Sequence, residues 1–159
     1  MTIPATLPFE SVSVGDHLPE LVVPLTRTLI VSTAIASRDY QDVHHDHELA
    51  SGRGSQDIFM NILSTNGIVG RFVTDWSGPS SVLTDVNIRL GAPNYANDVM
   101  TLTGVVTAKD DAAEGGRGGV EVAVKGSNSL GDHVTGTVRL LLPASATATA
   151  DANASGGAR

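Results

Sequence analysis

The chain has 159 residues, 41% of them hydrophobic, with 10 Lys and Arg against 17 Asp and Glu and no cysteine. That length and apolar content suit one core rather than two domains, and the missing cysteines exclude a disulfide framework or a thiolate metal site and fit a reducing interior. The net charge of −7 comes with scattered cations, which disfavours nucleic acid as a partner. The start of the chain lacks the basic and apolar pattern of a signal peptide, and no run is long enough to span a bilayer, so a soluble, cytoplasmic protein is expected.

In chain order, residues 1–20 read as an N-terminal extension, 21–143 as the folded domain and 144–159 as a disordered tail without large apolar side chains. "LVVPLTRTLIVS" from Leu21 mixes β-branched residues with a proline and reads as a short, interrupted strand region. Thr33 to Gln41 reads as a short helix capped by Ser32 or Thr33, with Asp39 near its end. "DVHHD" is a tight connection that leaves His44 on a loop, and "HELAS" before Gly52 forms one further helical turn.

Residues 57–76 carry the strongest periodicity. Ile58, Ile62, Leu63, Ile68, Val69, Phe72, Val73 and Trp76 recur at intervals of three and four, the pattern of a buried helix, with Asp57 as its N-cap or first-turn carboxylate. Gly67 and Gly70 inside it imply close approach by another backbone or by a ligand. Asn61 and Asn66 are polar on this apolar helix, so they either find buried partners or line a site. "SGPSS" breaks the helix, and four β-patterned segments follow, with residues 110–119 as a flexible hairpin loop between two of them. One long helix laid against an antiparallel sheet, with the first strand preceding the helix, is an α+β layout.

"RDYQDVHHDHE" places Asp39, His44, His45, Asp46 and His47 within nine positions. A carboxylate and an imidazole brought onto one water molecule suit general acid–base chemistry. The plain alternative is a solvated polar loop. A zinc site built from the three histidines and Asp46 is disfavoured, because neighbouring histidines diverge and no HExxH-type helical pairing is present. His45 and His47 are expected to face solvent, and His133, in "GDHVTG", to be a strand-edge residue.

The same stretch resembles the D-x-N-P-x-H-x-D segment of the MaoC-like, (R)-specific enoyl-CoA hydratase family, with Asp39, His44 and Asp46 at its aspartate, histidine and trailing aspartate. "GIVGRFVTDWSGP" is similar to the helix of that family, and "IRLGAPNYANDVMTLTG" to the strand pair that follows it. "GSQDIFMNIL" and "LGDHVTGTV" look like the small hydratase subunits of steroid-degrading bacteria. Two departures stand out: Gln41-Asp42 occupies the family's Asn-Pro, and Asn61-Ile62 its His-Gly. The resemblance implies a hot-dog fold and addition of water to a 2-enoyl-CoA, with Asp39 and His44 catalytic. Backbone near Asn61 and Ile62 would hold the thioester oxygen, with Gly67 also near substrate.

It further implies no cofactor beyond the CoA ester itself. The implied substrate is a steroid with a three-carbon unsaturated side chain, as in cholesterol side-chain degradation. The implied partner is a larger chain with its own hot-dog domain and an OB-like domain, two of each chain assembling. A hot-dog thioesterase and a non-catalytic acyl-CoA-binding subunit are the rival readings.

Overall fold

In the computed structural model, residues 5–111 and 116–145 are described. Five strands form one antiparallel sheet: β1 (Leu21–Pro24), β2 (Val82–Leu90), β3 (Val99–Asp110), β4 (Arg117–Asn128) and β5 (Gly131–Pro143), in the spatial order β1-β3-β4-β5-β2. Three helices, α1 (Arg27–Ala36), α2 (His47–Gly52) and α3 (Ile62–Ser77), all lie between β1 and β2 in sequence. The α+β expectation of one long helix against an antiparallel sheet is met, and so are the four strands after it.

Alternation along the strands decides which face of the sheet is dry. Met100, Leu102 and Val106 on β3, Val120, Val122 and Val124 on β4, and Val138, Leu140 and Leu142 on β5 are all buried. They pack with Val69, Phe72 and Val73 of α3 in one core. Each such side chain removed from water contributes about 1.5–3 kcal/mol, which holds the helix across the sheet. The fit is close at Gly104, where a Cβ would come within 3.0 Å of the Phe72 ring.

The segment before β1 also joins this core. Phe9, Val12 and Leu18 are buried, and the Phe9 ring lies where a Cβ on Gly118 would stand. Lys109 sits 4.0 Å from the centre of that ring and donates to the Phe9 carbonyl. The final residues, 146–159, and the hairpin residues 112–115 lie outside the described residues. Among the described residues, no helix is long and apolar enough to cross a membrane.

Three expected boundaries change. The first helix runs Arg27–Ala36 instead of Thr33 to Gln41, because Thr26 accepts a hydrogen bond from the Leu29 amide at 3.1 Å and starts it earlier. Tertiary burial of Ile30 then outweighs the β-propensity of the "LIV" run. The long helix starts at Ile62, not at Asp57. Residues 58–60 are instead extended: Met60 donates to the Asn94 carbonyl at 2.9 Å and Ala96 to that of Ile58 at 3.1 Å. Buried Ile58 and Met60 flanking half-exposed Phe59 give this short segment the period of a strand. Asp57 is therefore no cap of α3; it accepts from Arg27 at 2.6 Å and pairs with His47 at 3.0 Å.

Candidate active site

Asp39 is placed by the way α1 ends. Arg38 adopts a left-handed conformation with φ of 58°, the Arg38 amide donates to Ile35, and the Asp39 amide donates to Ala34 at 2.9 Å. This pair of bonds is a Schellman closure, in which glycine usually takes the position of Arg38. A side chain there costs roughly 1–2 kcal/mol, strain that the rest of the structure must hold in place. The turn aims Asp39 back toward the loop that follows.

His44 ends a 3-10 turn, Asp42–His44, and is 5% exposed. Its Nδ1 lies 2.7 Å from the carbonyl oxygen of Phe59, and the two rings meet edge to face at 5.0 Å. A carbonyl only accepts, so Nδ1 carries a proton, and Nε2 is presented on the other side of the ring. There, Nε2 is 3.3 Å from Asp39 Oδ2. Phe59 is itself fixed, by its amide on the Val43 carbonyl at 3.1 Å and by a bridge to Tyr95. Asp46, the trailing aspartate of the motif, caps α2 by accepting from the Leu49 amide at 3.0 Å.

Asn61 joins this pair to α3. It is the N-cap of the helix, 3% exposed, and its Oδ1 accepts from the Ser64 amide at 2.9 Å and from the Ser64 hydroxyl. A backbone amide can only donate, so Oδ1 is the oxygen and Nδ2 the nitrogen. Nδ2 then donates to Asp39 Oδ2 at 3.0 Å and to Ser37 Oγ at 2.9 Å. That bond is the main reason the Asp39 carboxyl lies below its ordinary range; burial opposes the shift, and the Gln41 amide and His44 reinforce it. Asp39 is a carboxylate at neutral pH, 3.3 Å from the second imidazole nitrogen. With a proton on Nε2 the contact is an ion pair; without it, two acceptors share a donor, for which a water molecule is the simplest.

Beside this pair the first turn of α3 opens outward. The amides of Ile62 and Leu63 have no acceptor within their own helix, and both side chains are 52% exposed. The positive end of the helix dipole adds to them, a setting that favours developing negative charge.

Of the sequence candidates, Asp39, His44, Asn61 and Ile62 come together, while Gly67 stands apart on the exposed face of α3. A Cβ on Gly67 would meet nothing within 4 Å, and one on Gly70 only Leu83 at 3.5 Å, so neither marks a tight approach within this chain. Asn66 is half-buried, and His45 and His47 are exposed. Among the described residues, no three His, Asp or Glu side chains converge as metal ligands. His133 departs from expectation: it is 2% exposed, on a strand with neighbours on both sides, because its ring turns inward to Thr65 and Ala92. The supporting residues Ser37, Phe59, Ser64 and Thr65 were missed. The one available signal was Asn61 three residues before Ser64, the spacing of a helix cap.

No family model matches the chain. It is 53% identical over 127 residues to the 3-oxo-4,17-pregnadiene-20-carboxyl-CoA hydratase beta subunit of Mycobacterium tuberculosis, covering 80% of this chain and 94% of that one. Among solved structures, a chain of the ChsH1-ChsH2 complex from Mycobacterium tuberculosis superposes with a TM-score of 0.75 at 51% identity, covering 82% of this chain and 98% of that one. The unliganded (R)-hydratase PhaJ1 of Pseudomonas aeruginosa matches with a TM-score of 0.75 at 19% identity over 88% of each chain. The (R)-hydratase of A. caviae matches with a TM-score of 0.76 at 18% identity, covering 84% of this chain and 99% of that one. These last two share the hot-dog fold. The motif around Asp39 and His44, the fold and the extent of identity agree: the chain belongs to the MaoC-like enoyl-CoA hydratase family.

Proposed function

We propose that this chain is the hydratase subunit that adds water across the double bond of a 2-enoyl-CoA, with Asp39 and His44 as the catalytic pair. The observation that carries the proposal is the 3.3 Å approach of the Asp39 carboxylate to His44 Nε2, the imidazole nitrogen that the Phe59 carbonyl does not engage. A water between them loses a proton to the pair as its oxygen bonds to the β carbon. The double-bond electrons move to the thioester as an enolate, and a proton returned by the pair to the α carbon completes the addition. Backbone donors at the start of α3, beside Asn61 and at Ile62, hold the enolate oxygen, commonly the larger electrostatic contribution to rate. The addition forms one C–O and one C–H bond at the expense of the π bond with no net redox change, so the chemistry needs no cofactor beyond the CoA ester.

The substrate we propose is the CoA ester of a steroid with an unsaturated three-carbon side chain, and the product carries a tertiary hydroxyl on the ring carbon. The name of the mycobacterial relative supports this class. The partner we propose is a larger chain with a hot-dog and an OB-like domain, two of each chain assembling in the cytoplasm. Support comes from the two-protein complex of the 51%-identical structure and from features of this chain. The nine-residue β2 is an edge strand, and Ile35, Tyr40, Ile62 and Leu63, which flank the site residues in sequence, are exposed apolar groups. On this reading Gly67 leaves the outer face of α3 clear for substrate or partner.

The test is hydration of a steroid enoyl-CoA and of crotonyl-CoA by the chain alone and with its partner. Activity confined to crotonyl-CoA would refute the steroid assignment; activity unchanged in Asp39→Asn and His44→Ala would place the chemistry elsewhere. A thioesterase would use an acidic residue on the long helix, and the acid of α3, Asp75, is 58% exposed near its far end.

A further inference from the structure

We infer that Thr65 and His133 form a positioning pair that fixes the first turn of α3 against the sheet, setting where its amide donors and Asn61 stand relative to Asp39 and His44. This inference rests on the hydratase reading. Neither residue faces the reacting water; each is enclosed, Thr65 at 0% and His133 at 2% exposure. They act through the helix.

The geometry fixes the direction of each hydrogen bond. His133 Nδ1 lies 2.6 Å from the carbonyl oxygen of Ala92, an acceptor only, so Nδ1 bears the proton. Nε2 is then a lone pair, and it lies 2.9 Å from Thr65 Oγ1, which must donate to it. The same hydroxyl is 3.4 Å from the Asn61 carbonyl and has one proton, so the shorter contact to His133 takes it. Burial pushes the His133 imidazole below its ordinary pKa, keeping the ring neutral and able to accept.

Both ends of this link are anchored. The Gly91 amide donates to the His133 carbonyl at 2.7 Å, and the Ala92 amide to the Asp132 carbonyl at 2.9 Å. A Cβ on Gly91 would stand 2.4 Å from the Asp132 oxygen, so the loop after β2 closes directly on the start of β5. At the other end, the Thr65 amide donates to the Asn61 carbonyl at 3.2 Å in the turn that Asn61 caps. The path therefore runs from the Ala92 carbonyl through His133 and Thr65 to the turn whose cap binds Asp39. A shift of about 1 Å in a catalytic donor can cost about 100-fold in rate, so a link of this kind has leverage on turnover without touching substrate.

The test uses the full chain with its partner subunit and a 2-enoyl-CoA. Thr65→Val keeps the shape and removes the donor; we expect kcat to fall about tenfold with KM changed less than about twofold, while Thr65→Ser stays near wild type. The penalty of Thr65→Val should shrink in an Asn61→Ala background, because both act on the same turn. Equal losses in the valine and serine variants, penalties that simply multiply, or full kcat in folded Thr65→Val would each overturn the inference. If Thr65→Val does not fold, Thr65→Ala, a better helix former, carries the same comparison. Absence of hydration by the wild-type complex would instead remove the hydratase reading, and this inference with it.

Discussion

His44 and His133 use the same local device for different ends. Each ring is buried and gives its Nδ1 proton to a backbone carbonyl, Phe59 at 2.7 Å for one and Ala92 at 2.6 Å for the other. What separates them is the second nitrogen. For His133 it meets the Thr65 hydroxyl, a donor, and the bond is complete. For His44 it meets the Asp39 carboxylate, an acceptor with a fifth of its side-chain surface open, so the contact is complete only while Nε2 itself holds a proton. A histidine whose two nitrogens are both satisfied holds structure together; one left facing another acceptor can take a proton from a substrate.

The most severe way to test this contrast is to remove the unsatisfied side. Asp39→Asn replaces an acceptor with an amide that can donate to His44 Nε2, turning the proposed catalytic arrangement into the satisfied one of His133. His44→Ala removes the ring. General acid–base groups contribute about 10²–10⁴ in rate, so each variant is expected to lower kcat/KM for hydration by that order with the fold intact. On the proposal that the two act on one water, the double variant should cost about as much as either alone. Multiplying losses would mean that they do not share a step.

Asn61→Ala attacks the contrast from the side of Asp39. Loss of the cap is expected to destabilise the protein by about 1 kcal/mol, read from denaturant unfolding. Loss of the Nδ2 bond, the main cause of the depressed Asp39 pKa, raises that pKa toward the ordinary value. The sign follows. A carboxyl depressed in the folded state stabilises at pH above its unfolded pKa, and that contribution disappears as pH falls through the folded pKa. The variant should lose its Asp39 contribution at higher pH than wild type, and the acid limb of kcat/KM should move the same way. An unmoved limb would show that Asp39 is not the group titrating there.

Arg38 tests whether the two acceptors must be aimed by the chain end of α1. Arg38→Val puts a β-branched residue at φ of 58°, where a left-handed conformation costs roughly 1–2 kcal/mol or more; lower stability and lower kcat are expected together. Arg38→Gly relieves the strain while loosening the unfolded chain, so its stability should change little. If the valine variant loses stability but keeps full kcat, Asp39 does not depend on this closure.

The sequence made the proximity of Asp39 and His44 more legible than its supports. The two stand out because they lie close together in a recognisable segment, and the strands because alternation survives burial of one face. The start of α3 differs because Ile58 fits the helical period with Ile62 and the strand period with Met60, and only the pairing of 58–60 with 94–96 decides between them. The "LIV" run points to a strand because the burial of Ile30 is a tertiary fact. From sequence His133 reads as a strand-edge residue because its partners, Thr65 and Ala92, are 68 and 41 positions away in the chain. No local pattern carries contacts of that separation.

Gly67 gives the smallest effect and separates the inner face of α3, closed by Thr65 and His133, from its outer face. A Cβ there meets nothing within 4 Å among the described residues, and the backbone is helical. Gly67→Ala should therefore stabilise the isolated chain by about 0.5–1 kcal/mol, since glycine is the costlier residue inside a helix. Thermal unfolding of the single chain reads that gain. In the assembled hydratase the sign can reverse: if partner or substrate lies against this face, the added methyl must raise KM or weaken assembly even as the free chain becomes more stable. Gains in both measurements would mean that the outer face stays open in the complex, and that Gly67 has no part in binding.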